Sequence, residues 1–166
     1  MEDKKKMKVI VLKGRDNSGK TTTLKKVYEL LKAACEEPET DYKVELEGND
    51  DFRDVINFAG KRIGIVTQGD YGDEIEKDYK GVIPSELEKR PALSVRDHLK
   101  ILKKKKCDIA ICACTTEKKI EKTIKRHYPK NTFIDKEVKS LQEIENTQKA
   151  MEIIQILKLW LLNATK

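Results

Sequence analysis

Gly14, Gly19, Lys20 and Thr21 carry the clearest chemistry in the chain, as parts of the run Gly14-Arg15-Asp16-Asn17-Ser18-Gly19-Lys20-Thr21, a G-x-x-x-x-G-K-T pattern. Phosphate groups must approach the backbone closely to meet its N–H groups, and the two glycines bring no Cβ to obstruct them. Lys20 adds a point charge for the terminal phosphates and Thr21 a hydroxyl for Mg²⁺, while the start of the following helix adds partial positive charge. Gly14, Asn17, Ser18, Gly19, Lys20, Thr21 and Thr22 are therefore the candidate nucleotide-binding residues.

A strand must lead into this loop and a helix must leave it. The run Val9-Ile10-Val11-Leu12 is apolar throughout, as expected of a parallel strand buried on both faces. After the loop, Leu24, Val27, Tyr28, Leu30 and Leu31 recur at helical spacing, ending before Pro38. Strand, loop and helix together resemble the P-loop NTPase superfamily. Within it, the loop is similar to that of thymidylate-kinase-like nucleoside monophosphate kinases, the specific match being confined to this stretch. The resemblance implies ATP as phosphoryl donor, Mg²⁺ as cofactor, and Asp16 as the acidic residue that faces the acceptor. The Asp-Arg pair usual in those kinases has no counterpart: Arg53-Asp54 and Arg96-Asp97 run in the opposite order. An Arg-rich lid is also missing, the nearest substitute being the basic stretch Lys118, Lys119, Lys122, Lys125 and Arg126. A GTPase is disfavoured because no N-K-x-D guanine motif follows a strand.

Downstream, Tyr42 to Leu46 alternates as a second strand. Phe52, Val55, Ile56 and Ala59 fit a helix, but Val55–Phe58 and Arg62–Thr67 are both strand-like and three residues apart, which favours a hairpin. Its second arm opens into Gln68-Gly69-Asp70-Tyr71-Gly72-Asp73. A polar loop after an apolar strand is where open α/β sheets place ligand chemistry. Asp70 is accordingly a catalytic and metal-binding candidate, with a plain turn as the alternative. Capping boxes at Ser85–Glu88 and Ser94–Asp97 flank Pro91, and the second starts a helix through Leu102. Asp108 to Cys114 forms another central strand. Thr115 and Glu117 lie at its end as secondary candidates, and Thr116 is the expected N-cap of a helix through His127. Thr132–Ile134 forms a last strand. Val138, Leu141, Ile144, Gln148, Met151, Ile154, Leu157 and Leu161 then mark a terminal helix, its stripe widened by Ile153, Ile156 and Trp160. Such a helix covers the sheet, and the width of the stripe leaves room for a homodimer contact.

At 166 residues the chain is sized for one domain, residues 1–166. The expected fold is a three-layer α/β P-loop NTPase fold with a mainly parallel sheet flanked by helices, plus one antiparallel hairpin. With no apolar stretch long enough to span a bilayer and no signal peptide, a cytoplasmic location without membrane contact is expected. Four cysteines without paired ligand spacing are read as reduced thiols, and His98 and His127 as surface residues. A net charge of +6 suits polyphosphate ligands and permits nucleic-acid contact. Two functions fit. One is a Mg²⁺-dependent small nucleotide kinase, with Lys20, Asp16 and Asp70 at the reacting groups and a small-molecule phosphate acceptor. The other is a nucleotide-dependent regulatory or nucleic-acid-associated module without kinase activity, gated at the Gln68–Asp73 loop.

Overall fold

The computed structural model describes residues 6–15, 18–34, 43–46, 51–58, 60–69, 93–136 and 142–163. Asp16, Asn17, Cys35, Asp70, the rest of the loop through Asp73, the Ser85–Glu88 capping box, Pro91, Val138 and Leu141 lie outside the described residues.

Six strands form one sheet: β1 (Lys8–Gly14), β2 (Val44–Glu45), β3 (Phe52–Phe58), β4 (Lys61–Val66), β5 (Ile109–Cys114) and β6 (Asn131–Lys136). Their order is β2-β3-β4-β5-β1-β6. β4, β5, β1 and β6 pair in parallel, whereas β2–β3 and β3–β4 are antiparallel. The sheet is thus mixed rather than mainly parallel. The hairpin is present, with Phe58 opposite Lys61, and β2 extends the antiparallel part by a further strand. Chain length explains this, since two residues between β3 and β4 allow a hairpin but no parallel crossover.

Side-chain alternation gives the sheet two buried faces. On one, Ile10, Leu12, Ile63, Ile65 and Ile111 pack with Leu24, Val27 and Leu31 of α1 (Lys20–Ala34) and with Ala150, Ile153 and Leu157 of α4 (Gln142–Asn163). On the other, Val9, Val11, Val66, Ala110 and Cys112 meet Val95, Leu99 and Leu102 of α2 (Val95–Lys104) and Ile120 and Ile124 of α3 (Lys118–His127). The result is a helix–sheet–helix sandwich. No helix among the described residues is long and apolar enough to cross a membrane.

Three expectations are corrected here. The inward stripe of α4 is Ala150, Ile153 and Leu157, so Ile144, Gln148 and Met151 of the anticipated stripe point outward. The N-cap of α3 is Glu117 rather than Thr116, and its side chain makes no capping bond. His98 is fully buried, because it falls between Val95 and Leu102 on the inward face of α2; His127 is exposed as expected. Ser94 does cap α2, its side chain accepting from Asp97 N at 3.1 Å. Cys107, Cys112 and Cys114 are free and buried. Burial pushes the Cys107 and Cys114 thiols up to about 12 and raises Cys112 as well, so all three stay protonated and unreactive at neutral pH.

Candidate functional site

β1 ends at Gly14 and α1 begins at Lys20, so the loop between them lies at the carboxyl edge of the parallel strands. A Cβ on Gly14 would stand 2.6 Å from both Lys136 O and Ser18 Oγ, leaving no space for any side chain. Gly19 has φ +90°, a left-handed conformation that glycine alone adopts freely, and a Cβ there would strike the side-chain amides of Gln142 and Asn146. The two glycines that the phosphate-cradle pattern demands are thus also demanded by the packing of the loop.

The rest of the loop is held from several directions. Ser18 N donates to Arg15 O at 3.2 Å, which closes a turn. Ser18 O accepts from Lys136 Nζ of β6 at 2.7 Å and from Gln142 Nε2 at the start of α4. Lys20 folds back over the loop, donating to Gly14 O at 2.7 Å and to Arg15 O at 2.9 Å. Both lysines are buried, at 6% and 3% exposure, so two cations converge on one backbone turn. Ser18 Oγ is buried and has no hydrogen-bond partner among the described residues. Thr22 is exposed on the first turn of α1. These features fit a polyphosphate: a cradle that a Cβ would fill, two converging ammonium groups and one orphaned hydroxyl.

Thr21 leads to a residue that sequence reasoning missed. Its Oγ1 donates to Asp51 Oδ1 at 3.1 Å, and Thr67 Oγ1 donates to the same oxygen at 2.8 Å. Thr67 in turn binds Phe52, accepting from Phe52 N at 2.9 Å while its own N–H donates to Phe52 O. Asp51 precedes β3 and Thr67 follows β4. Because these strands run antiparallel, the start of one and the end of the other meet at the loop's edge of the sheet. Only the hairpin direction could have signalled this.

Cavities flank the loop on two sides. One of about 400 Å³ is lined by Lys13, Gly14, Arg15, Ser18, Thr116 and Lys136. At its rim Lys13 contacts Glu121 at 3.3 Å and Asp135 at 3.7 Å, and the Glu121 hydrogen bond raises the Lys13 pKa. The other, of about 540 Å³, runs beside α1 between Lys25, Glu29, Lys43, Glu45 and Asp51. Thr21, Lys25 and Glu29 follow at four-residue spacing, so one stripe of α1 leads from the loop into that cavity. Its floor includes Tyr28, whose hydroxyl donates to Asp54 Oδ2 at 2.7 Å. Burial, and then this bond, drive the Tyr28 pKa upward, so the phenol stays a neutral donor.

Protein-family models, curated proteins and solved structures give no match to the chain. The site therefore stands on its own geometry. Of the residues expected in it, Gly14, Ser18, Gly19, Lys20 and Thr21 come together. Asp16, Asn17 and Asp70 lie outside the described residues. Thr115 is partly exposed after β5 and Glu117 is exposed.

Gln68, the expected start of a switching loop, turns inward. Its Oε1 accepts from Leu93 N at 3.0 Å and pairs with His98 Nε2 at 2.7 Å. His98 Nδ1 lies 3.1 Å from Arg53 NH1. Arginine can only donate, so Nδ1 is the acceptor and Nε2 carries the proton given to Gln68. Burial and the nearby guanidinium lower the His98 pKa and keep the ring neutral.

Proposed function

We propose that the chain binds a nucleoside triphosphate together with Mg²⁺ at Gly14–Thr21 and transfers the terminal phosphoryl group to a small acceptor. The observation that carries this reading is the Thr21–Asp51 pair, at 3.1 Å, set at the end of the Gly14–Gly19 cradle, with Asp51 on the wall of the α1-side cavity.

ATP is the donor implied by the resemblance of the loop. Its phosphates would lie along the backbone N–H groups from Gly14 to Lys20, with Lys20 leaving its carbonyl partners to meet them. Ser18 Oγ would add a hydrogen bond. Thr21 and Asp51 would hold Mg²⁺ through a hydroxyl and a carboxylate, the hard oxygen donors that this ion prefers. Bound Mg²⁺ supplies charge neutralisation on the terminal phosphates. Thr67 keeps the Asp51 carboxylate turned toward Thr21. The acceptor would enter the cavity beside α1, where Asp51 meets mixed charge from Lys25, Glu29, Lys43 and Glu45. In the reaction the bond from the terminal phosphorus to the donor oxygen breaks, a bond to the acceptor oxygen forms as that oxygen gives up its proton to solvent, and the nucleoside diphosphate leaves. The chain contributes position and charge rather than a covalent intermediate.

Mg²⁺-dependent ATP turnover, measured alone and with a panel of nucleosides, nucleotides and small polyols, tests the reading. Acceptor-stimulated turnover with a phosphorylated product is expected. Saturable binding with no acceptor-dependent product would contradict phosphoryl transfer and leave a nucleotide-gated module.

A further inference from the structure

At the opposite edge of the sheet, the starts of three strands gather lysines around the chain's single tryptophan. Lys8 opens β1, Lys61 opens β4, and Lys130 immediately precedes β6. With Lys6 and Trp160 of α4 they surround a cavity of about 200 Å³. Backbone bonds fix the arrangement: Val9 N donates to Lys130 O at 2.9 Å and Lys8 N to Asp108 O at 3.0 Å. Lys8 Nζ lies 5.5 Å from the Trp160 ring centroid, which ties one ammonium to the indole. Asp108 is the one carboxylate in the lining among the described residues, and its Oδ2 accepts from Arg62 N at 2.9 Å. Four lysines thus face one aspartate. β1 spans seven residues, so this cavity lies roughly 20 Å from the phosphate cradle and is independent of it.

We propose that this cavity binds single-stranded nucleic acid, taking one unstacked base against Trp160 and the neighbouring phosphates on Lys6, Lys8, Lys61 and Lys130. A planar aromatic surface ringed by non-directional cations matches a base with flanking phosphates. Trp160 lines the cavity, and a base still stacked in a duplex has no free face to lay against its ring.

Trp160, as the sole tryptophan, is the reporter. Its emission is followed while a short oligothymidylate is added to the full chain at increasing salt, with a duplex of equal length and oligoglutamate in parallel. The expected result is saturable quenching by the single strand alone. Contacts to three or four phosphates give a slope of log affinity against log salt of about −2 to −3. The double variant Lys61→Glu, Lys130→Glu keeps the indole and should lose tenfold or more in affinity for the strand, while nucleoside triphosphate binding at the cradle persists. Unchanged affinity in that variant would overturn the proposal, as would absence of saturable quenching at low salt. Equal binding of duplex or oligoglutamate would overturn it too, assigning the lysines to general anion attraction or to an acidic protein.

Discussion

At the residue scale, two side chains carry the account. In the proposed reading Lys20 is the charge that would meet the terminal phosphates, and replacing it with alanine should lower ATP turnover by on the order of a hundredfold or more, read from steady-state rates. Its present partners are backbone carbonyls of the loop, so circular dichroism should still show a folded chain. Asp51→Asn keeps the shape of the side chain and removes its charge. Turnover at saturating Mg²⁺ should fall by about a hundredfold while nucleotide binding changes little. Equal turnover in that variant would return Asp51 to a structural role, as the acceptor that ties Thr21 to Thr67. The two residues also differ in legibility. Lys20 belongs to a pattern read within eight consecutive residues, each with a local physical reason. Asp51 lies thirty residues from Thr21, and its place beside the loop depends on a strand direction that composition does not encode.

At the scale of elements, caps and turns give separable effects. Ser94→Ala removes the hydroxyl that accepts from Asp97 N and should cost about 1 kcal/mol in a denaturant titration. Gly19→Ala forces a Cβ into the left-handed region and against Gln142 and Asn146. It should cost more than the cap does, roughly 1–3 kcal/mol, and weaken nucleotide binding at the same time. Strands β1, β5 and β6 and helix α3 are readable from periodicity within each short stretch, and in α2 the Ser94 cap agrees with the period, whereas the cap of α3 is not readable. Helix α4 misled because apolar residues surround it: Ile144, Met151, Leu159 and Leu162 are exposed, so spacing alone could not select the inward face. Only packing against α1 and the sheet does so. His98 was misread for a related reason. A polar residue on an apolar stripe looks like surface until Arg53 and Gln68 supply its hydrogen bonds from elsewhere in the chain.

At the scale of the whole molecule, the buried Arg53–His98–Gln68 relay links α2 to β3 and to the end of β4, and it makes stability depend on pH. The native ring has a lowered pKa and stays neutral, whereas the unfolded ring takes up a proton near its ordinary value of 6.5. Below that pH the unfolded state binds more protons, so stability is fully present above about 6.5 and declines as the pH falls toward the native value. Chemical denaturation between pH 7.5 and about 5 should show this slope, and His98→Asn should remove most of it while lowering stability throughout. A slope that persisted in the variant would assign the effect to other groups. The order of the sheet concerns nucleotide as well, because it sets β1 between β5 and β6 and brings the Thr116 and Lys136 walls to the loop. The central claim is that Gly14–Thr21 holds the phosphates of a nucleoside triphosphate. Calorimetric titration of ATP with Mg²⁺ into the wild type and into Lys20→Ala tests it most directly. Saturable, Mg²⁺-dependent binding that is lost in the variant is the predicted result, and equal affinity in both proteins would contradict it.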